Sequence, residues 1–181
     1  MYKNGKATDF RQFSPIFYCR SYTLIVLLVH QKTQAMKTSM IQLYEREIDR
    51  LTTEIELYQS DVSLWKSTET ISNSGGNLCL HLIGNLNHFI GRHIGNNDYV
   101  RKREEEFESK NIPRPTLLIL IENVKKIVIT TLQNFPEEKL KENYPIEKNG
   151  EVLTNEFMLL HLFWHLSYHV GQINYHRRLL D

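Results

Sequence analysis

The sequence predicts an all-α protein, a four-helix bundle whose two long connections would allow a crossover topology. Three observations lead to this prediction. Apolar residues recur at three- and four-residue intervals in four separate segments, which is the spacing of one face of an α-helix. Capping residues and prolines lie at the ends of these segments. No segment alternates apolar and polar residues in the way typical of a half-buried strand.

The first two helices are predicted over about residues 38–60 and 75–94. The first is amphipathic, with charged residues between apolar positions at strict 3-4-3-4-3 spacing: Ile41, Tyr44, Ile48, Leu51, Ile55 and Tyr58. The second has Asn73 or Ser74 as its N-cap and ends near Gly91 or Gly95. Its interior, LCLHLIGNLNHFIG, holds few charges, so we expect it to be buried on most sides.

The third and fourth helices are predicted over about residues 115–135 and 154–179. Pro115 suits the first turn of the third helix, and Pro136 ends it. The apolar stripe of this helix is Leu117, Ile121, Val124, Val128 and Leu132. Thr154 or Asn155 is the expected N-cap of the last helix. The charged run 101–106, in the first long connection, is expected to be a solvated face, with a lid over a site as the alternative.

The composition and the charge balance of the chain indicate one globular domain. The chain has 181 residues, of which 41% are hydrophobic and 24% charged, with 22 basic against 21 acidic side chains. Phosphate binding needs a clustered basic excess, so this balance argues against a nucleic-acid partner.

The apolar run LIVLLV is far shorter than the roughly 20 residues that a membrane helix requires, and we expect no membrane association. Cys19 and Cys79 form no C-x-x-C pair, which favours a reducing, cytoplasmic location.

The first 35 residues differ from the rest of the chain. Strong helical periodicity begins only after Met36 and Met40. We therefore expect residues 1–35 to be an N-terminal extension outside the fold, and residues 36–181 to form the domain. A signal peptide is the alternative, because basic residues precede the short apolar run and Ala35 follows it.

The last helix carries four histidines on one face, within about 80° of one another: His161, His165, His169 and His176. His165 and His169 stand at i and i+4, a spacing that lets two imidazoles share a metal ion. Their neighbours are too apolar for a solvated stripe, so some of these imidazoles need buried partners. The second helix offers His81 and, one heptad later, His88. Both a hydrogen-bonded core network and a three-histidine metal site with an open fourth position fit this pattern.

Four motifs, NSGGNLCLHLIGNLNHFIG, YVRKREEEF, YPIE and HLSYHVGQINYHRRLL, resemble those of the DinB/YfiT-like superfamily of proposed metalloenzymes, in a bacterial branch. The resemblance covers about residues 36–181, and H-x-x-x-H followed by V-G-Q-I is its most specific part. It implies a four-helix bundle in an up-down-down-up arrangement that binds a divalent metal, nickel or zinc. It also implies the ligands, His81, His165 and His169. Residues 1–35 have no counterpart in the pattern, in agreement with an extension.

Five further residues are candidates for the surroundings of the metal: His88, Asn85, His161, Tyr168 and Gln172. His88 lies two turns and ~10 Å along the axis from the proposed ligand on the second helix, so we expect a hydrogen-bonded wall residue rather than a ligand. Asn85 belongs to a polar strip inside that apolar helix. His161 either supports a ligand or lines the core. Tyr168 and Gln172 flank the ligand face, where each could orient a ligand or a substrate.

The chemistry implied by the resemblance and by three neutral ligands is metal-dependent. The cation would keep its full positive charge and acidify a thiol or water that it binds. Some relatives in the superfamily transfer low-molecular-weight thiols, so we expect a metal-dependent thiol (S-)transferase acting on a small thiol or another small molecule. Hydrolysis ranks lower, because H-L-S-Y-H lacks the glutamate base of H-E-x-x-H. The other alternative is a non-catalytic metal-binding or stress-associated bundle. We expect a homodimer.

Overall fold

The fold is built from four long helices and, within the described residues, contains no β-strand. The structure is a computed structural model that describes residues 15–181, with side chains from residue 35 onward. The helices in chain order are α1 (Pro15–Glu56), α2 (Asp61–Leu64), α3 (Gly75–Leu86), α4 (Arg103–Glu108), α5 (Arg114–Asn134) and α6 (Asn155–Leu180). A π-helical segment, Asn87–Arg92, extends α3, and a 3-10 turn, Glu137–Lys141, follows α5. The predicted all-α class is confirmed.

The predicted bounds hold closely for α3 with its π-helical extension, for α5 and for α6. α1 differs, because it begins at Pro15 rather than near residue 38. Periodicity reports which residues are buried, whereas the helix itself continues wherever no breaker stops it. No glycine or proline occurs between Pro15 and the end of α1, and Leu, Met, Lys and Gln favour the helical state there. The up-down-down-up order of helix directions stays a prediction.

The chain divides into two units, Met1–Met36 and Lys37–Asp181, and everything described below belongs to the second. The predicted extension over residues 1–35 stays a prediction, and its first 14 residues lie outside the described part of the chain. The apolar run LIVLLV falls within α1. Among the described helices, none is both long and apolar enough to cross a membrane.

The core of the second unit is formed by the apolar stripes that the sequence predicts. On α1 the stripe is fully buried from its second member onward, while Ile41 is half-buried and Met40 takes the inner position. α5 buries all five predicted residues, Leu117, Ile121, Val124, Val128 and Leu132. Nearly every residue of α3 is buried, as its few charges indicate. Each buried side chain of this size stabilises the fold by about 1.5–3 kcal/mol.

Side-chain caps fix where α3 and α6 begin. The Ser74 hydroxyl accepts a hydrogen bond from the Asn77 backbone N–H at 3.1 Å. The Thr154 hydroxyl accepts one from the Phe157 backbone N–H at 3.2 Å. Each cap satisfies a donor that the first helical turn leaves without an intrahelical partner. Of the alternatives open from the sequence, Ser74 and Thr154 are therefore the N-caps.

Tyrosine hydroxyls hold α6 against the first helix and the residues that follow it. Tyr44 Oη donates to the Leu159 carbonyl at 2.7 Å. Tyr58 Oη lies 2.7 Å from Nδ1 of His176, whose Nε2 lies 2.9 Å from the Lys66 carbonyl oxygen. Because a carbonyl only accepts, Nε2 carries the proton of His176, and Nδ1 accepts from Tyr58. His176 is therefore a buried core residue with both ring nitrogens hydrogen-bonded.

Candidate metal centre

Three histidines meet where α3 packs against α6. His81 comes from α3, while His165 and His169 lie one turn apart on α6 and therefore share a face. Nε2 of His165 lies 3.2 Å from Nε2 of His81 and 3.1 Å from Nε2 of His169. One ligand atom from each residue lies within 4.8 Å of the other two. The structure thus brings together the three residues predicted as ligands, and that they bind a metal stays a prediction.

A buried carboxylate fixes the ring proton of His81. Nδ1 of His81 lies 2.9 Å from Oε2 of Glu106, and both side chains are 6% exposed. Because an ionised carboxylate only accepts, Nδ1 carries the proton and donates it to Glu106. The Nε2 lone pair is then free on the side of the other two imidazoles. A neutral imidazole binds a metal in this form, with a carboxylate on its second nitrogen.

Arg101 keeps Glu106 ionised. Its guanidinium donates from Nε to Oε1 at 2.7 Å and from Nη2 to Oε2 at 2.8 Å, the two-bond pairing that arginine makes with carboxylates. Burial alone would raise the pKa of Glu106, but the hydrogen bonds from Arg101 and His81 outweigh burial and lower it. Glu106 therefore remains an acceptor for the His81 proton at neutral pH.

The charged run 101–106 is predicted to be a solvated face, and this prediction is wrong for Arg101 and Glu106, whose side chains are 11% and 6% exposed. The reason is a contact between elements far apart in sequence. Nδ2 of Asn77 on α3 lies 2.9–3.1 Å from the carbonyl oxygens of Glu106, Phe107 and Ser109, which brings the end of α4 against α3. The motif YVRKREEEF, part of the family resemblance, is the sequence signal that contains both charged residues.

A glycine on α3 makes room for the carboxylate. A Cβ at Gly84 would lie 2.7 Å from Cδ of Glu106, closer than Cβ atoms approach in real proteins. The Phe107 ring lies over His81, with ring centroids 5.0 Å apart. Gly84 and Phe107 are thus further site residues that periodicity alone does not identify. Their role is to let Glu106 reach His81 and to exclude water from the pair.

His169 is supported by Gln172 and Tyr168 on the exposed side of α6. Its Nδ1 lies 2.6 Å from Oε1 of Gln172, and since an amide oxygen only accepts, Nδ1 carries the proton. Nε2 of Gln172 donates to Tyr168 Oη at 3.1 Å. The Tyr168 ring stacks on Trp164, which also contacts the ring of His161. His169 therefore presents a free Nε2, and His161 borders the group without joining it.

His165 is the middle member of the group. Burial, and then the neighbouring His169 and His81, lower the pKa of His165 to about 3. Burial also lowers the pKa of His169, against the opposing effect of its hydrogen bond with Gln172. Nδ1 of His165 is buried and has no hydrogen-bond partner among the described residues. At neutral pH both α6 imidazoles are uncharged, which is the state that binds a metal.

The three nitrogens fit a divalent cation. Ligands ~2.0–2.1 Å from a tetrahedral zinc lie ~3.3 Å from one another, and two of the Nε2–Nε2 separations in the structure are 3.1 and 3.2 Å. Imidazole suits zinc and nickel, whereas magnesium and calcium prefer oxygen ligands. Among the described residues, the group contains three potential ligands and no fourth. The donor set therefore matches a site with an open coordination position.

His88 and Asn85 lie outside this group. The His88 ring packs against Phe89 and His93, with centroids 4.7 Å apart in both cases. Its Nδ1 is buried and, within the described residues, has no partner, so the expected hydrogen bond is not found at this nitrogen. His88 stands in the π-helical segment, where the α-helical register counted from His81 no longer applies. Asn85 is buried, and its Oδ1 likewise has no described partner.

We expect acid to destabilise the protein through His88. Burial, and then His93, Arg101 and Arg92, lower the pKa of His88 from 6.5 to about 4, against the opposing effect of Glu106. The imidazole of His88 therefore binds a proton near pH 6.5 in the unfolded chain but only near pH 4 in the folded protein. As a result, the free energy of unfolding decreases as the pH is lowered from 6.5 to 4. Thermal unfolding across this range should show a shallower decline in Tm for His88→Gln than for wild type. Parallel declines would contradict the prediction.

Solved structures share this fold. A crystal structure of a DinB-like protein from Bacillus cereus has a TM-score of 0.63 at 16% sequence identity, over 77% of this chain and 89% of that chain. A crystal structure of a conserved protein from Enterococcus faecalis has a TM-score of 0.64 at 16% identity, over 80% of this chain and 96% of that chain. At such low identity the likeness establishes the fold alone.

Sequence comparison places the chain in a family. A search of curated proteins gives no match. The family described as "Protein of unknown function (DUF1572)" matches residues 30–181, well over half of the chain. This range contains all three converging histidines and the residues that support them. The chain therefore belongs to the DUF1572 family, and its fold is that of the DinB-like protein from Bacillus cereus.

Proposed function

We propose that the protein is a metal-dependent thiol (S-)transferase in which His81, His165 and His169 bind a divalent cation, nickel or zinc. The convergence of the three Nε2 atoms, 3.1 and 3.2 Å apart, carries this proposal. Glu106 and Gln172 accept the Nδ1 protons of two of the imidazoles, which leaves their lone pairs on the inner side. Nε2 of His165 carries at most one proton and can satisfy only one of these two lone pairs, whereas a cation satisfies all three nitrogens.

The proposed reaction joins a low-molecular-weight thiol to a second substrate. A divalent cation with three neutral ligands would supply positive charge that makes a bound thiol more acidic. The thiol sulfur forms a bond to an electrophilic carbon, the leaving group departs with the bonding electron pair, and the thiol proton passes to solvent. The protein orients the ligands, since Glu106 holds the proton on Nδ1 of His81 and Gln172 holds it on Nδ1 of His169.

Transfer is favoured over hydrolysis because the carboxylate beside the imidazoles is already engaged. Both oxygens of Glu106 accept from Arg101, and Oε2 also accepts from His81. The lowered pKa of Glu106 makes it a weak base, so it is poorly suited to take a proton from water. The α6 segment itself, H-L-S-Y-H, has no glutamate between the two histidines. A metal-dependent hydrolase is therefore the less favoured enzyme.

A non-catalytic metal-binding or stress-associated dimeric bundle is the second candidate. Structural metal sites are closed by four protein ligands, whereas catalytic sites keep one position open. Three histidines from the described residues form the group, and His88 lies outside it with its ring against His93. This ligand count favours the enzyme.

Metal analysis followed by an assay tests the proposal. Protein purified without an affinity tag should contain about one nickel or zinc ion per chain. After the metal is removed and restored, we expect transfer of cysteine or glutathione to 1-chloro-2,4-dinitrobenzene, with release of chloride, only by the restored protein. Stoichiometric metal without transfer to this or other electrophiles would support the non-catalytic bundle instead. Turnover of esters or amides without added thiol would support the hydrolase.

The homodimer and the cytoplasmic location are part of the proposal as well. α6 exposes large apolar side chains at helical spacing, and those in its first half are Phe157, Leu160 and Trp164. Exposed apolar side chains that share one helix face are typical of a contact site when they form one patch. A second copy of the chain covering this row would form the homodimer, and sedimentation of the purified protein measures its mass.

A further inference from the structure

A cavity of about 570 Å³ lies between the residues that precede α3 and the second half of α6. This volume is in the range of small-molecule binding sites. Its apolar and aromatic lining comes from Ile71, Leu78, Tyr168 and Tyr175. The proposed reaction assigns no role to Ile71, Leu78 or Tyr175. The cavity is therefore a candidate for a separate binding site.

Gly171 forms a flat floor between two tyrosines. Tyr168, Gly171 and Tyr175 follow one another at helical spacing on one face of α6, and all three line the cavity. A Cβ at Gly171 would have no heavy atom within 4 Å, so the glycine opens directly onto the cavity. A glycine inside a helix costs about 0.5–1 kcal/mol relative to alanine. Packing inside the protein does not explain this glycine, whereas a flat ring lying on its backbone would.

The polar lining of the cavity contains one titratable group, the imidazole of His176, and both of its ring nitrogens are hydrogen-bonded, to Tyr58 and to the Lys66 carbonyl. The lining also includes the side chains of Ser72, Asn73 and Gln172, which offer hydroxyl and amide groups. Within the described part of the chain, no Asp, Glu, Lys or Arg lines the cavity. An ionised ligand would lose water there without gaining an opposite charge. The lining therefore favours a neutral molecule that donates and accepts hydrogen bonds.

Gln172 and Tyr168 connect the cavity to the candidate metal centre. Both line the cavity. Oε1 of Gln172 also accepts from Nδ1 of His169 at 2.6 Å, and its Nε2 donates to Tyr168 Oη at 3.1 Å. A single amide side chain thus separates the cavity from a proposed metal ligand. A molecule bound in the cavity would lie beside the place where the proposed reaction occurs.

We propose that this cavity binds the ring-bearing part of the substrate, an uncharged aromatic or heteroaromatic group with an amide or hydroxyl substituent. The ring lies on Gly171 between the rings of Tyr168 and Tyr175, and its substituent bonds to the amide and hydroxyl groups of the wall. That the bound molecule is a substrate rests on the proposed function. The affinity of the cavity for such a ring does not require the metal.

Three small probes test the proposal: benzamide, benzoate and cyclohexanecarboxamide. Binding of each probe to the wild-type protein is followed by NMR. We expect benzamide to shift the resonances of cavity residues and to bind most tightly of the three. Benzoate has the same ring with a negative charge, and cyclohexanecarboxamide has the amide on a saturated ring. Gly171→Leu fills the open space above the glycine and should weaken benzamide binding by roughly tenfold or more. This variant should melt no lower than wild type, because leucine favours the helix.

The outcomes separate this proposal from the proposed function. Metal content is measured in the same samples and should be equal in wild type and Gly171→Leu. Benzamide should also bind to metal-free protein, so a missing metal would refute the proposed metal site and leave the cavity proposal standing. Absence of benzamide binding, or equal binding by wild type and Gly171→Leu, would overturn the cavity proposal. Benzoate or cyclohexanecarboxamide binding as tightly as benzamide would overturn the assigned ligand class.

Discussion

Replacing His165 with alanine is expected to abolish stoichiometric metal binding. Nε2 of His165 lies 3.2 Å from that of His81 and 3.1 Å from that of His169, so it lies between the other two proposed ligand atoms. Without it the cation would keep two protein ligands from different helices, too few for a site with three. Elemental analysis of the tag-free protein gives the metal content per chain. His169→Ala should lose the metal for the same reason.

His161→Ala is the matched control for this loss. His161 stands one turn before His165 on the same helix, and its ring contacts Trp164 rather than the three converging imidazoles. The control should therefore keep the metal content of the wild type. His176→Ala should also keep its metal, although it removes a buried residue bonded to Tyr58. Equal metal in wild type and His169→Ala would refute the ligand assignment, and the histidines would then form a hydrogen-bond network in the core.

The sequence predicts the fold well because the buried residues of α5, of α6 and of α1 after residue 40 recur at a helical interval. The α5 stripe from Leu117 to Leu132 is buried at every predicted position. The short helices α2 and α4 do not emerge from such reasoning, since one or two turns are too few to show a period. The start of α1 at Pro15 is missed for a related reason. A helical segment without a regular apolar face leaves no periodic signal.

His165 and His169 can be predicted as a pair because an i, i+4 spacing on a helix fixes the relative position of the two side chains. His165 and His169 share a helical face whatever else the protein does. Glu106 is different, because its position depends on how the connection before α5 folds back onto α3. Nothing in the run REEEFE distinguishes the buried Glu106 from its solvated neighbour Glu105. Tertiary contacts make that distinction, among them those with Asn77, Gly84 and His81.

Glu106→Gln is expected to weaken metal binding and to destabilise the fold. The amide keeps the shape of the carboxylate but is a weaker acceptor for the His81 proton, and it leaves the guanidinium of Arg101, 11% exposed, without its counter-ion. Loss of such a partner to a metal-binding histidine lowers metal affinity by about 10–100-fold. Removing one member of a buried ion pair costs about 3–5 kcal/mol of unfolding free energy. Competition with a chelating dye measures the affinity, and chemical denaturation measures the stability.

Glu105→Gln is the control that makes this prediction specific. Glu105 precedes Glu106 in the same short helix, but its side chain is 64% exposed and pairs with Lys102, itself 68% exposed, at 3.0 Å. A surface pair of this kind contributes about 0–1 kcal/mol, so this variant should keep both the metal affinity and the stability of the wild type. Equal metal affinity in the two variants would mean that the carboxylate of Glu106 does not set the proton on His81. Glu106 would then be a structural residue that holds α4 through Arg101, with no part in preparing the three histidines for a metal.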